Sequence, residues 1–136
     1  MTERKTLKQM LADAEASITR ISADEALAAH RDGTAIFVDI RDPREIERDG
    51  TIPGAFRVTR GMLEFWIDPD SPYFKPIFAE PRRFVFFCAM GWRSSLSAQT
   101  AQQMGLADVA DLEGGLKAWR AAGGDVEVPA PKQPAA

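Results

Sequence analysis

The sequence predicts an α/β fold in which a parallel sheet is covered by helices on both faces. Two continuous apolar runs of strand length, AIFVDI at 35–40 and RFVFFC at 83–88, are typical of strands that are buried on both sides. Segments with helical spacing of apolar residues alternate with these runs, as in strand–helix–strand units. Ligands of such sheets bind beyond the carboxyl ends of the strands, so the residues after each strand are the candidates for function.

The first half of the chain predicts three helices and two short strands besides the run at 35–40. An amphipathic N-terminal helix is indicated by apolar residues at helical spacing. They are Leu7, Met10, Leu11, Ala14 and Ile18. Capping boxes at Ser22–Glu25 and Asp42–Glu45, the second with Pro43 in its first turn, open the other two helices. The short strands are predicted at 18–21, at a sheet edge, and at the end of 50–58.

The second half predicts a short helix at 61–69, a proline-punctuated loop, the strand RFVFFC and a helix that ends near Gly105. The strand VADLE and a last helix at 114–124 follow, and the residues from Val126 onward lack core side chains. Five aromatic residues between the third strand and RFVFFC are interpreted as packing residues rather than a ligand platform. They are Phe65, Trp66, Tyr73, Phe74 and Phe78.

Composition excludes several classes of function. A chain of 136 residues with 45% apolar content is enough for one domain with a core, and its net charge of −3 without a basic block argues against a nucleic acid partner. No apolar stretch approaches the ~20 residues that span a membrane, so we expect a cytoplasmic protein without membrane contact. One cysteine and one histidine, His30, supply neither a disulfide framework nor a metal site, and we expect no cofactor. His30 is expected at the surface, in the last turn of a helix.

The only cysteine, Cys88, ends the strand RFVFFC and opens the loop CAMGWRS. Residues Ala89–Gly91 allow a tight turn whose backbone N–H groups point inward, and Arg93 and Ser94 begin the next helix. Amide donors and the positive end of the helix dipole would favour a thiolate at the centre of such a loop. The alternative is a cysteine that only fills the end of a buried strand, but packing needs neither the glycine nor the arginine and serines that follow.

Four segments together resemble the rhodanese-like sulfurtransferase family. CAMGWRS is similar to its active-site loop C-x-x-G-x-R-S, DIRDPREIERDG to its D-x-R-x-x-x-E segment, TIPGA to H-I-P-G-A, and DLEGGLKAWRAAG to the closing L-x-G-G-x-x-A-W-x-x-x-G motif. The resemblance implies a rhodanese-like domain at 20–126, with a central parallel sheet of about five strands in a three-layer sandwich. A helical extension at 1–19 and a flexible tail at 127–136 flank it.

The resemblance also implies the chemistry. Cys88 would take sulfane sulfur from a small donor such as thiosulfate, hold it as a persulfide, and pass it to cyanide, a small thiol or a sulfur-acceptor protein. The backbone amides of Ala89, Met90, Gly91, Trp92, Arg93 and Ser94 would surround the sulfur. Trp92 either narrows the mouth of this site or folds back onto the domain.

Three further positions are expected to support the loop. Arg41 would either face the site and attract an anionic donor or pair with Asp42 or Glu45 at the surface. Asp39 is expected to hold the architecture, by accepting hydrogen bonds from a neighbouring loop or by pairing with Arg93. Thr51 stands where the family commonly has histidine, which leaves open what replaces the polar contact of that histidine.

Two other functions are compatible with this fold: a phosphatase or arsenate reductase, and a binding module without catalysis. The related phosphatases place arginine six positions after cysteine, which enlarges the loop for a tetrahedral phosphate, whereas Arg93 comes five positions after Cys88. The shorter loop favours a single sulfur atom. The presence of Cys88 argues against an inactive module but leaves a regulatory role open.

Overall fold

The computed structural model describes residues 3–129, in which strands and helices alternate from the first strand onward. The strands are β1 Thr19–Ile21, β2 Ala35–Asp39, β3 Phe56–Arg57, β4 Arg83–Phe87 and β5 Val109–Leu112. The helices are α1 Leu7–Ser17, α2 Ala23–Asp32, α3 Pro43–Asp49, α4 Leu63–Ile67, α5 Trp92–Gln103 and α6 Gly115–Ala121.

The five strands form one parallel sheet in the order β1-β5-β4-β2-β3. The predicted parallel α/β fold is therefore confirmed. In the register, Asp39 of β2 lies beside Phe87 of β4, and Phe86 lies beside Asp111 of β5. The carboxyl ends of the three central strands, β2, β4 and β5, therefore lie at one edge of the sheet. Cys88 follows directly after β4 at this edge.

Local capping determines where the helices begin. The Ser22 hydroxyl accepts a hydrogen bond from the Glu25 N–H at 3.1 Å, and the Asp42 carboxylate accepts one from the Arg44 N–H at 2.8 Å. In both boxes the glutamate accepts a hydrogen bond from the backbone N–H of the capping residue. Such caps stabilise a helix by about 1 kcal/mol each. Both helices begin directly after the capping residues that the sequence predicts.

Side chains that alternate along the central strands supply two separate cores, one on each face of the sheet. On one face Phe84, Phe86 and Cys88 pack with residues of α4 and α5. On the other face Val85 and Phe87 pack with residues of α2 and α6. Each buried aromatic side chain contributes about 2–3 kcal/mol of burial free energy, so these layers hold the sheet between its helices.

The aromatic residues that were interpreted as core or rim packing divide between the two positions. Phe78 is buried in the core, whereas Phe65 and Tyr73 are exposed and touch each other edge to face at the surface. His30 is half-buried rather than a surface residue: its Nε2 lies 2.8 Å from the Pro53 carbonyl oxygen, and its ring packs against Trp119. The ring therefore joins α2 to α6, which explains a histidine there without catalysis.

The end of the domain is attached more closely than its composition suggests. Glu127 exchanges two backbone hydrogen bonds with Thr51, at 2.8 and 2.9 Å, and Val126 packs against the core. The rest of the predicted tail, 130–136, lies outside the described residues. Within 3–129, no helix has the length and apolar character needed to cross a membrane.

Candidate active site

Cys88 lies directly after β4, at the edge where the carboxyl ends of the central strands meet. Its side chain is buried, and its sulfur accepts a hydrogen bond from the Gly91 N–H at 3.0 Å. The thiol also lies 3.5 Å from the Ser94 hydroxyl, which in turn donates to the Gly91 carbonyl at 3.3 Å. An inward-facing amide of this kind stabilises a thiolate or a terminal persulfide anion, while the Ser94 hydroxyl accepts from the thiol.

Gly91 turns the loop so that its amide faces the sulfur. Its φ of 117° lies in the region that side-chain-bearing residues rarely adopt. The Ser95 hydroxyl donates to the Gly91 carbonyl at 2.7 Å, which orients this peptide at the start of α5. The expected turn at 89–91 is therefore present, and α5 begins at Trp92, one residue earlier than predicted.

The glycine pair of the closing motif supports the loop from the other side. The Leu116 N–H donates to the Cys88 carbonyl at 2.9 Å, and the Lys117 N–H donates to the Ala89 carbonyl at 3.2 Å. A Cβ atom at Gly115 would lie only 2.5 Å from the Cys88 carbonyl oxygen. Only glycine permits this approach, so the first turn of α6 directly satisfies the carbonyl groups of Cys88 and Ala89.

Arg93 ties the loop to α3. Its guanidinium makes a bidentate ion pair with Glu45, with N–O distances of 2.6 and 3.0 Å. The hydrogen bonds from Arg93 hold the pKa of Glu45 below its ordinary value, and those to Glu45 raise the pKa of Arg93. One of the two expectations from the sequence for Asp39 is a pair with Arg93. This expectation is wrong, because Arg93 pairs with Glu45.

Asp39 and Arg41 form a buried pair beneath this edge of the sheet. Arg41 donates to Asp39 from Nε at 3.0 Å and from Nη2 at 2.8 Å, and its Nη2 also donates to the Gly50 carbonyl. Thr51 donates to the same carboxylate at 2.7 Å. Both expectations for Arg41 are wrong. Its side chain is 1% exposed and bound to Asp39, so it neither attracts the donor nor pairs at the surface with Asp42 or Glu45.

This network also explains the presence of threonine at position 51. Its hydroxyl supplies a hydrogen bond to the buried Asp39 carboxylate, and its backbone holds the residues around Glu127. Asp39 thus has an architectural role, as expected, through Arg41 and the loop that contains Thr51. The buried Asp39 carboxylate accepts hydrogen bonds from Arg41 and Thr51, and it thereby joins β2 to the loop that precedes β3.

An apolar rim surrounds the sulfur. A cavity of about 250 Å³ is lined by five residues of the loop: Cys88, Ala89, Met90, Trp92 and Arg93. The Met90 and Trp92 side chains are 67% and 66% exposed. Trp92 therefore borders the mouth of the cavity and does not fold back onto the domain, which answers the alternative that the sequence left open.

Asp111 is a residue of the site that the sequence analysis missed. It is fully buried on β5, where its Oδ2 accepts hydrogen bonds from Ser95 at 3.0 Å and from Arg20 at 3.4 Å. Its Oδ1 has no hydrogen-bond partner among the described residues, and burial raises its pKa. An aspartate inside the apolar run VADL was the available signal, because a strand buried on both faces rarely carries one.

Among residues 3–129, no group of three or more His, Cys, Asp or Glu side chains is arranged to hold a metal ion. The site consists of one buried thiol, the Gly91 amide that donates to its sulfur, and ion pairs around the loop. No hydrogen bond to the sulfur is formed by the other amides of residues 89–94, which were expected to surround it. The structure thus has a candidate cysteine nucleophile at the edge of a parallel α/β sheet.

Comparison with known proteins identifies the family. The model of the Rhodanese-like domain matches residues 22–122, so the chain belongs to that family. The chain is 58% identical to a protein of unknown function from Rhodopseudomonas palustris, described as a possible tyrosine phosphatase, with a TM-score of 0.89 over 93% of this chain and 98% of that one.

Two sulfurtransferases share the fold at lower identity. The thiosulfate sulfurtransferase of Pseudomonas aeruginosa is 26% identical, with a TM-score of 0.74 over 89% of this chain and 22% of that larger protein. The human single-domain sulfurtransferase is also 26% identical, with a TM-score of 0.64 over 77% of this chain and 97% of that one. The matched part of this chain therefore spans nearly the whole of the human single-domain protein.

Proposed function

We propose that the protein is a sulfurtransferase that carries sulfane sulfur as a persulfide on Cys88. The observation that carries the proposal is the 3.0 Å hydrogen bond from the Gly91 N–H to the Cys88 sulfur, in a loop with room for a small anion. The amide stabilises negative charge on sulfur before and after transfer. Membership of the Rhodanese-like family supports the same reaction class.

The reaction proceeds in two displacements. The Cys88 thiolate attacks the outer sulfur of thiosulfate, a new S–S bond forms, and the old one breaks with its electron pair leaving on sulfite. A thiolate or cyanide then attacks the terminal sulfur of the persulfide, which regenerates the Cys88 thiolate and releases a new persulfide or thiocyanate. One cysteine suffices because each step transfers one neutral sulfur atom and consumes no oxidant or reductant, so no second thiol is needed to resolve a disulfide.

The partners of the reaction are a small sulfur compound as donor and a thiol, cyanide or acceptor protein as recipient. We also propose a cytoplasmic location, where thiol acceptors stay reduced. The apolar cavity of about 250 Å³ supports a small-molecule donor, because it can hold one compact group next to the sulfur.

A phosphatase activity is the second candidate, since the relative from Rhodopseudomonas palustris carries that description. Two features of this chain argue against it. Arg93 follows Cys88 by five positions, which gives a shorter loop than the phosphatases have, and its guanidinium already binds Glu45 in a bidentate pair. A tetrahedral phosphate ester would therefore lack both the space and the free arginine that stabilise its transition state.

The deciding experiment is an intact-mass measurement after exposure to excess thiosulfate and desalting. The wild-type protein should gain the mass of one sulfur atom and lose it to cyanide with release of thiocyanate, whereas Cys88→Ser should do neither. The same two proteins are assayed with an aryl phosphate. Cys88-dependent phosphate release without sulfur loading would replace the sulfurtransferase assignment by the phosphatase one.

A further inference from the structure

The described residues that line the cavity present no unpaired cation. Three arginines approach the loop or the strand ends beside it, and each has a carboxylate partner. The pairs are Arg93 with Glu45, Arg41 with Asp39, and Arg20 with Asp111. Among the described residues that line the cavity, only Arg93 carries a positive charge, and both of its terminal nitrogens donate to Glu45.

This pairing weakens the recognition of an inorganic dianion. Thiosulfate carries two negative charges, and sites built for such anions present unpaired arginine, lysine or several free amides. Here Glu45 neutralises the charge of the adjacent Arg93 guanidinium. The loop therefore stabilises a sulfur atom through the Gly91 amide, but it has little net positive charge to bind a sulfonate group. A donor gains more from contacts with the rim.

The rim offers an apolar and aromatic surface. Met90 and Trp92 flank Cys88, and both side chains are exposed although each is large and apolar. An indole face packs against aryl or alkyl groups, and a thioether adapts to their shape. Exposed apolar side chains beside a nucleophile indicate that the binding partner is itself apolar at that point.

The size of the cavity agrees with this ligand chemistry. Its volume of about 250 Å³ exceeds the ~150 Å³ in which a benzene molecule is accommodated within a protein. A ring-sized group can therefore lie beside Trp92 while the sulfane sulfur reaches Cys88.

The geometry points to an organic sulfane-sulfur compound, with an aryl or comparable apolar group on the part of the molecule that leaves as the sulfur is transferred, as the substrate class of this site in preference to thiosulfate. This inference rests on the proposed function and specifies its substrate. Trp92 and Met90 are the residues that determine specificity, because they contact the apolar group while Cys88 takes the sulfur.

The reaction with such a donor is balanced in the same way as with thiosulfate. For an aryl thiosulfonate, the Cys88 thiolate attacks the terminal sulfur, the bond between that sulfur and the sulfonyl group breaks, and the electron pair leaves with an arylsulfinate. The products are the Cys88 persulfide anion and the sulfinate, and no oxidant or reductant is consumed.

The test compares two donors that differ only in the apolar group. Benzenethiosulfonate and methanethiosulfonate are both monoanions, and their rates of sulfur loading on Cys88 are measured by intact mass together with the rate for thiosulfate. N-acetylcysteine in solution provides the intrinsic reactivity ratio of the two thiosulfonates. We expect the protein to prefer the benzene compound at least about fivefold beyond that ratio, and to load more slowly from thiosulfate than from either.

The variants assign this preference to the rim. Trp92→Ala should lower the preference about three- to tenfold, and Met90→Ala should lower it less. Tyr73→Ala removes a similarly exposed aromatic ring that does not line the cavity and should leave both the preference and the rate of loading from methanethiosulfonate unchanged.

The outcomes separate this inference from the proposed function. If no donor places sulfur on Cys88, the sulfurtransferase proposal itself fails. If all three donors load sulfur but the protein shows only the intrinsic preference, or Trp92→Ala leaves the preference intact, the substrate inference is wrong and the reaction class stands. Faster loading from thiosulfate than from both thiosulfonates would likewise overturn the inference alone.

Discussion

Replacing Glu45 by glutamine would free the Arg93 guanidinium beside the Cys88 cavity. Glutamine keeps the length of the side chain and the acceptor for the Asp42 N–H, which completes the capping box at 3.3 Å in the native protein. It removes the negative charge that now binds Arg93 in two hydrogen bonds. The substitution therefore changes the charge of the site with little change in its shape.

The expected gain follows from Coulomb's law. Two unit charges at ~4 Å attract each other by about 1 kcal/mol in water and about 4 kcal/mol at an effective dielectric constant of about 20. Since the Arg93 side chain is 43% exposed, the lower figure applies. The attraction between a dianionic donor and Arg93 would be about 2 kcal/mol, and salt screening would reduce it to about half. The value of kcat/KM for thiosulfate should therefore rise about fivefold. A monoanionic thiosulfonate should gain only about twofold.

The assay is thiocyanate formation at low donor concentration, repeated at two ionic strengths. Glu64→Gln is the matched control, because it removes the same charge from another arginine pair, Arg60–Glu64 on α4 and the turn before it. The gain should appear only in Glu45→Gln, should be larger for thiosulfate than for methanethiosulfonate, and should decrease as salt is added. Equal rates in wild type and a folded Glu45→Gln protein would refute the claim that Glu45 withholds the charge of Arg93.

Three other substitutions test the supporting structure. Thr51→Val should lower the free energy of unfolding by about 1–3 kcal/mol in urea denaturation, because the buried Asp39 carboxylate loses a donor; a loss below about 0.5 kcal/mol would contradict this role. Gly115→Ala should slow sulfur loading on Cys88 about ten- to a hundredfold in a protein that still folds, and unchanged loading would exclude the support assigned to α6. Burial raises the pKa of Asp111, so the folded state holds this proton more tightly than the unfolded chain, and stability falls as pH rises from the ordinary value of 3.8 through the raised one. Asp111→Asn should flatten that part of the Tm–pH profile, whereas a parallel profile would assign the fall to other groups.

Local patterns in the sequence were sufficient to predict most of the fold. The capping boxes at Ser22–Glu25 and Asp42–Glu45 and the apolar strands 35–40 and 83–88 depend on neighbours within a few residues, and all of them form as predicted. The position of Cys88 at the end of a central strand follows from the same local pattern. These features are predictable because the responsible interactions lie within one element.

The ion pairs of the site could not be predicted, because their partners are distant in the chain. Arg93 and Glu45 are 48 positions apart, and Arg20 and Asp111 are 91 apart. Charge alone offers each arginine many partners, and the choice is made by the order of strands in the sheet. The expectation for Arg41 failed for a different reason: its partner Asp39 is only two residues away, but a buried arginine bound to so near a carboxylate has no distinctive sequence signature.

The arrangement of the loop assigns its chemistry to the backbone and its selectivity to side chains. Arg93 is bound to α3, so anionic sulfur is stabilised mainly by the Gly91 amide, and the orientation of that amide depends on a positive φ and on the Ser95 hydroxyl. The residues 90 and 92 contribute no group to this stabilisation and point their side chains outward. Residues 90 and 92 can therefore vary in size and polarity without loss of the nucleophile. The rim is thus the part of the site where a substitution can change the substrate with the least effect on the rate of the reaction.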